Sequence, residues 1–272
     1  MKDSNLHNTS HRYALITGAA SGMGRIYAEK LAQRGYGLVL VDINDKGLED
    51  TAQIIRSLTS TIPVITIQQD LSAADAADRI FDITEESGCE VEVLVNNAGV
   101  MYCQGIAETS ERMLKLIMSL HMTTPLLLCR KYVNGMKARG CGYILNISSI
   151  SAWMIWPGIG MYGITKRFIR NYSRELRTEC QKTGVSVTNA YFGAVDTPLV
   201  PLQEKYRKIA RSIGVMIPPE KAVKKALNAT FHRRRGTTPG ILNKIFIPLI
   251  IIVPDCLLGW IYRKAKPLLM KV

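Results

Sequence analysis

The stretch YALITGAASGMG, residues 13–24, decides the fold class. Residues 13–17 are apolar and β-prone, Gly18, Gly22 and Gly24 follow in quick succession, and a helical pattern starts at once over 23–34. A strand that passes through a glycine turn straight into a helix gathers backbone N–H groups and the positive helix N-terminus at one point, where a pyrophosphate fits. A turn of small residues alone need not serve a ligand. Its place between the first strand and first helix of a βαβ unit is what gives it meaning.

Working outward, apolar runs at 38–42 (LVLVD), 64–68 (VITIQ), 91–95 (VEVLV), 143–147 (YILNI) and 185–191 (VSVTNAY) alternate with helical patterns over 47–59, 73–87, 109–139 and 162–182. That alternation is what a parallel sheet with crossover helices requires, and LVLV and VLV are continuously apolar, as strands buried on both faces must be. The expected fold class is α/β: a Rossmann-type doubly wound parallel sheet in three layers. It spans 12–232, preceded by a polar segment, 1–11, and followed by a basic and apolar extension, 233–272.

The chain has 272 residues, of which 47% are hydrophobic and 21% charged, enough apolar surface for a sizeable core and too much for global disorder. The formal charge of +13 is not spread evenly: residues 201–272 hold 15 Lys and Arg against 3 acids, which leaves the first 200 residues nearly neutral. Six cysteines lie scattered without a C-x-x-C pair or a histidine cluster, so neither a metal site nor a disulfide framework is expected. Residues 1–12 lack an apolar signal core. Free thiols in a reducing cytoplasm are the plain expectation.

Asp42 ends the second strand, where a carboxylate accepts hydrogen bonds from the ribose hydroxyls of an adenosine and meets a 2′-phosphate with like charge. NAD is therefore expected ahead of NADP, and no basic residue lies between Gly18 and Gly24 to argue otherwise. The plainer reading of Asp42 is that it opens a turn with Asn44 and Asp45.

The decisive constellation is Ser149, Tyr162 and Lys166. At i and i+4 on one helix, Tyr162 and Lys166 project from the same face, so the ammonium sits near the phenol. A free phenol titrates near 10, and a neighbouring cation favours its ionised form, which equips Tyr162 to act as general acid toward a carbonyl or general base toward an alcohol. Ser149 follows the fifth strand and can hydrogen-bond the same reacting oxygen.

With TGAASGMG (17–24), Asp42, Asp70-Leu71, NNAG (96–99), NISS (146–149), YGITK (162–166) and FGAVDT (192–197) in this order, the chain resembles the short-chain dehydrogenase/reductase family over roughly 12–230. The resemblance implies an NAD(P)-binding Rossmann fold with a seryl-tyrosyl-lysyl site. It assigns Gly18, Ala20, Ser21, Gly22, Met23 and Gly24 to the cofactor's phosphates and Asp70 and Leu71 to the border of the adenine. Asn96, Asn97, Ala98 and Gly99 would support the cleft, Lys166 would also bind the nicotinamide ribose beside Tyr162, and Gly193, Val195 and Thr197 would hold the carboxamide. It also implies a homodimer or homotetramer. Two departures stand out: His121 occupies the place where many members carry a relay asparagine, either taking over the proton relay or simply packing, and Phe192 replaces a proline before Gly193.

Trp153, Met154, Ile155 and Trp156 lie between Ser149 and Tyr162, and Tyr191, Leu199, Val200, Leu202 and Met216 would form the opposing lid around 194–218. Either they wall a substrate pocket, with Trp153, Met154, Tyr191 and Leu199 foremost, or they are core and subunit contacts. A pocket without charge fits an apolar alcohol or ketone such as a steroid, bile-acid-like molecule or lipid. The apolar run 241–262 is broken by Pro248, Pro254 and Asp255, too short for a bilayer span but suited, with the cations around it, to peripheral contact at a cytoplasmic membrane face; a subunit interface is the rival. Nucleic acid is not an expected partner, since no recognition motif accompanies the basic tail. The main expectation is an NAD(H)-dependent oxidoreductase of an apolar secondary alcohol or ketone. Its alternatives are a membrane-associated NADPH-dependent 3-oxo-lipid reductase and a non-catalytic nucleotide-binding scaffold.

Overall fold

Strand residues with alternate side chains pointing to opposite faces need cover on both sides, and the chain supplies it by placing a helix after nearly every strand. In the computed structural model, which describes residues 12–153, 158–199, 203–240 and, beyond these, 242–243, 247–248, 251–254, 256–260 and 263–264, the strands are β1 (Arg12–Thr17), β2 (Gly37–Asp42), β3 (Val64–Gln68), β4 (Glu90–Asn96), β5 (Gly142–Ser149), β6 (Val185–Phe192) and β9 (Gly236–Thr237), joined in one parallel sheet of order β3-β2-β1-β4-β5-β6-β9. The order reverses between β1 and β4, and a crevice opens outside the carboxyl ends of the strands at such a switch point.

One face of the sheet, including Ile16, Leu40, Val93 and Leu145, packs on α1 (Gly22–Ala32), α2 (Asp45–Leu58) and α8 (Pro219–Phe231). The other, including Leu15, Val39, Leu94 and Ile144, packs on α3 (Ala76–Glu86), α5 (Thr124–Ala138) and α6 (Gly160–Glu179). Both sets are essentially inaccessible to solvent, which is why the central strands read as unbroken apolar runs. The helical pattern of 109–139 is met by α4 (Glu111–Met118), a π-helical turn (Ser119–Thr123) and α5 in succession. His121 is the buried residue of that π turn, and such turns concentrate at functional sites.

Three elements escaped the sequence reading because two residues carry no periodicity: β9 at the sheet edge, and the pair β7 (Ala194–Val195) and β8 (Met216–Ile217). The latter two bracket α7 (Glu204–Ser212), fixing the feet of the segment expected to be the lid. Arg207 donates to Asp196 at 2.6 Å and to the Thr197 carbonyl at 2.9 Å, and Arg211 reaches Asp196 at 3.0 Å, so α7 is tied to the loop after β6. Among the described residues no helix is long and apolar enough to cross a membrane.

Candidate active site

The glycine turn is shaped by close backbone approach. Gly18 has φ +69°, and a Cβ on it would lie 2.9 Å from the Ala98 Cα; a Cβ on Gly24 would come within 1.8 Å of the Gly18 carbonyl oxygen. Only residues without a side chain let β1, α1 and the loop after β4 converge this tightly. Thr17 completes the junction, its hydroxyl accepting from the N–H groups of Asn97 (3.0 Å) and Ala98 (3.1 Å), while Asn97 Nδ2 donates to the Thr17 carbonyl at 2.9 Å.

The result is a cavity of 540 Å³ whose wall runs from Gly18, Ser21, Gly22 and Met23 past Asp42, Asp70, Leu71 and Asn97 to Gly99, and on to Leu116, Leu120 and Leu199. Ala20 and Gly24 act behind that wall, the first donating its N–H to Asp42 Oδ2 at 3.1 Å and the second by its packing. Asp42 Oδ1 accepts from the Asn44 N–H at 3.0 Å, so the same carboxylate opens the turn and lines the cavity. Asp70 holds Ser72 through its N–H and hydroxyl, at 2.8 and 2.7 Å. Thr197 also lines the cavity; Val195 lies buried behind, and Gly193 packs so tightly that a Cβ would meet Asn243 Oδ1 at 2.4 Å. The glycine cradle, the N-terminus of α1 and the Asp42 carboxylate fit a nicotinamide dinucleotide.

Behind Gly99 of this wall lies Lys166, with the Tyr162 ring beside it, two of the residues expected to be catalytic. Lys166 is buried, donates from Nζ to the Ile147 carbonyl at 3.0 Å and sits 5.5 Å from the centroid of the Tyr162 ring. Burial pushes its ammonium down to about 8. Burial also raises the Tyr162 phenol above its ordinary value, while a hydrogen bond with Ser149 works the other way. The ammonium lies near the phenol as the i and i+4 spacing expects, while its hydrogen bond goes to a carbonyl and loss of solvent is the first influence on both groups. Ser149 Oγ accepts from the Ser151 N–H at 3.1 Å, which holds it at the start of the 3-10 turn Ile150–Trp153.

His121 lies buried against this group, its ring edge to face with Tyr162 at 5.8 Å. Nε2 accepts from the Val100 N–H at 2.9 Å, and Nδ1 lies 3.0 Å from Thr165 Oγ1, whose own proton goes to the Tyr162 carbonyl at 2.9 Å. This pattern assigns a neutral ring protonated at Nδ1, consistent with burial and then Lys166 pressing the imidazolium well below its usual range. Both nitrogens bond within the protein, so of the two readings of His121, relay or packing, the contacts match packing, with the ring joining the loop after β4 to α6. Gly99 permits it, since a Cβ there would lie 3.0 Å from Nε2 and 3.7 Å from Lys166 Nζ.

The expected substrate wall divides. Leu199 lines the 540 Å³ cavity, Trp153 and Tyr191 pack edge to face at 5.6 Å on a different cavity, and Met154 lies outside the described residues. The sequence reading missed a buried polar row that carries α6: Asn96 Nδ2 donates to Asn146 Oδ1 and Asn146 Nδ2 to Ser173 Oγ, both at 2.8 Å, and Ser173 lies 3.3 Å from Asn189 Oδ1. Polar residues at the centre of apolar strands, as in VTNAY, were the available signal. Desolvated side-chain amides of this kind stay in place only when partnered.

A family model described as short chain dehydrogenase matches residues 12–207. The chain belongs to the short-chain dehydrogenase family. As a member it has the family's NAD(P)-dependent oxidoreductase fold. It is 31% identical over 258 residues to the very-long-chain 3-oxoacyl-CoA reductase of Rattus norvegicus, covering 93% of this chain and 78% of that protein. With very-long-chain 3-oxoacyl-CoA reductase-A of Danio rerio it shares 30% identity over 71% of this chain, and the match spans 61% of that protein's length, less than two thirds. Among solved structures, a short-chain dehydrogenase from Sphingobium yanoikuyae in complex with NADPH superposes with a TM-score of 0.75 at 25% identity, covering 89% of this chain and 96% of that one.

Proposed function

We propose that this chain interconverts a secondary alcohol and a ketone on an apolar substrate with NAD(H), Tyr162 exchanging the proton. What supports this is that Lys166, 5.5 Å from the centroid of the Tyr162 ring, lies behind Gly99 of a glycine-walled cavity in which Val100, Leu116, Leu120, Pro198 and Leu199 form an uncharged stretch. A bound nicotinamide dinucleotide supplies or accepts the hydride. The chain's own part is to hold the reacting oxygen beside Ser149 and Tyr162 and to keep a proton ready on the phenol, which burial favours. Lys166 provides a fixed positive charge near that proton.

The preference for NAD rests on Asp42 in the cavity wall, and on Arg25, the nearest basic side chain to the glycine turn, being committed to Thr51 at 3.0 Å and the Ala20 carbonyl at 2.7 Å. The test is a panel of steroid, bile-acid and acyl-chain alcohols and ketones assayed with both cofactors. Higher kcat/KM with NAD(H) on apolar substrates is expected; equal turnover of short polar sugars, or a strong NADPH preference, overturns it. A second reading, a membrane-associated NADPH-dependent 3-oxo-lipid reductase, is favoured by the likeness to the two 3-oxoacyl-CoA reductases. We also propose that residues 241–272 meet a membrane surface peripherally, since Ile251, Ile252, Leu257 and Trp260 are exposed beside Arg263 and Lys264. A homodimer or homotetramer, with exposed Met118 and Ile164 on α4 and α6 at the contact, completes the reading.

A further inference from the structure

The second cavity, 520 Å³, lies between α6, the end of β6 and β9, and four arginines line it: Arg170 and Arg174 from α6, Arg234 and Arg235 from the segment entering β9. Trp153 and Tyr191 complete the wall. Arg170 Cζ stands 3.5 Å from the centroid of the Trp153 ring, so the guanidinium is stacked on the indole, where a cation–π contact holds it in place. Among the described residues none of the four guanidiniums is paired with a carboxylate. Burial lowers the Arg170 guanidinium's affinity for its charge; Arg174 and Arg167 add repulsion, and Tyr191 opposes it.

Two donors are also left over. Trp153 Nε1 and Arg170 Nε are both buried without an acceptor. Neither nitrogen can accept a hydrogen bond, so the two cannot satisfy each other, and a buried donor left unpaired is costly enough to favour an acceptor that enters the cavity. Unpaired donors, uncompensated positive charge and an open volume therefore coincide in one place. A carboxylate would neutralise one of four cations. A phosphate ester or pyrophosphate offers more charge and several oxygens, and guanidinium forks bind such groups through paired hydrogen bonds.

We propose that this cavity is a binding site for a multivalent phosphate group, outside the cofactor cleft. The inference stands apart from the proposed reaction and would hold for any substrate of the 540 Å³ cavity. Two sources share this chemistry, a soluble phosphate ester and the headgroup of an anionic phospholipid.

The experiment is calorimetric titration of the full chain with inorganic pyrophosphate, NAD+ held at saturation so that the cleft does not compete. Saturable binding is expected, weakened at least about tenfold in R174Q/R235Q by the loss of two charge-assisted contacts and unchanged in K208Q on α7. If the double variant does not fold, Arg174→Gln alone gives the same readout, since Arg174 is exposed. In parallel, cosedimentation is compared on phosphatidylcholine vesicles with and without phosphatidate. Pyrophosphate binding without arginine-dependent sedimentation assigns a soluble ester; arginine-dependent sedimentation assigns a headgroup. Absence of both, or binding indifferent to the arginines, overturns the proposal. A shift in oligomeric state with no anion response also overturns it and assigns the patch to a subunit contact.

Discussion

The glycine-walled cleft and the arginine cavity are close in size, 540 and 520 Å³, and opposite in construction. The first is made by removing side chains: Gly18, Gly22 and Gly99 let backbone and one helix terminus face inward, and the formal charges on its wall are the carboxylates of Asp42 and Asp70. The second is made by adding them, with four guanidiniums at its wall and no carboxylate. Backbone N–H groups are fixed by the fold and so bind the same group in the same place each time, whereas long cationic side chains attract charge at the expense of ordering themselves. The comparison teaches that one chain can prepare anion sites in two ways, with rigid geometry where hydride chemistry demands position, and with charge where attraction alone suffices.

The comparison breaks if the chemistry does not depend on the cleft. Tyr162→Phe, which keeps the ring against His121 and removes only the hydroxyl, should lower kcat by about a thousandfold, the range of a lost general acid or base. Steady-state kinetics that leave kcat within a factor of a few would remove Tyr162 from the reaction. Gly24→Ala comes next: its Cβ would collide with the Gly18 carbonyl, and a forced backbone shift of about 1–3 kcal/mol corresponds to a rise of about thirtyfold in cofactor KM. Phosphate binding at the arginine cavity should be untouched by it, which sharpens the separation of the two sites.

A smaller effect follows from Lys166. Burial holds its folded value at about 8, below the 10.5 of the free side chain, so the ammonium is present at neutral pH and is lost as pH rises through 8. Ketone reduction should then fall by about tenfold per pH unit beyond 8. The sign for stability is the reverse: a depressed lysine penalises the fold fully below 8, and the penalty is relieved between 8 and 10.5. A kcat/KM profile flat to pH 10 would show that the charge is not used. Ser173→Ala is the mildest, breaking the row that links Asn146 to α6 at a cost of about 1–3 kcal/mol in denaturant unfolding, with kcat lowered only as far as α6 moves.

Much of this was legible before any coordinates. The strand at 64–68 appears with the bounds the alternation predicted, and Tyr162 and Lys166 face one way because a 3.6-residue period places i and i+4 together. Those are local properties. Polar residues within apolar strands marked single members of the polar row, but not that they meet, because Asn96, Asn146, Ser173 and Asn189 come from four elements and adjacency in a parallel sheet has no sequence signature. Trp153 and Tyr191 looked like a substrate wall by their nearness in sequence to Ser149 and the lid. Tyr191 stands opposite Ser148 in the β5–β6 register, and its ring packs on Trp153 over the arginine cavity.

The sequence by itself determined the layered sheet, the glycine turn and which residues are the candidates for proton transfer, because hydrophobic period, turn chemistry and helix spacing act over a few neighbouring residues. Tertiary structure alone decided what those residues experience. It buried Lys166 until its charge became costly, gave His121 partners on both ring nitrogens, and brought arginines from α6 and from the segment entering β9 to one cavity beside Trp153, since burial and charge density depend on everything nearby in space.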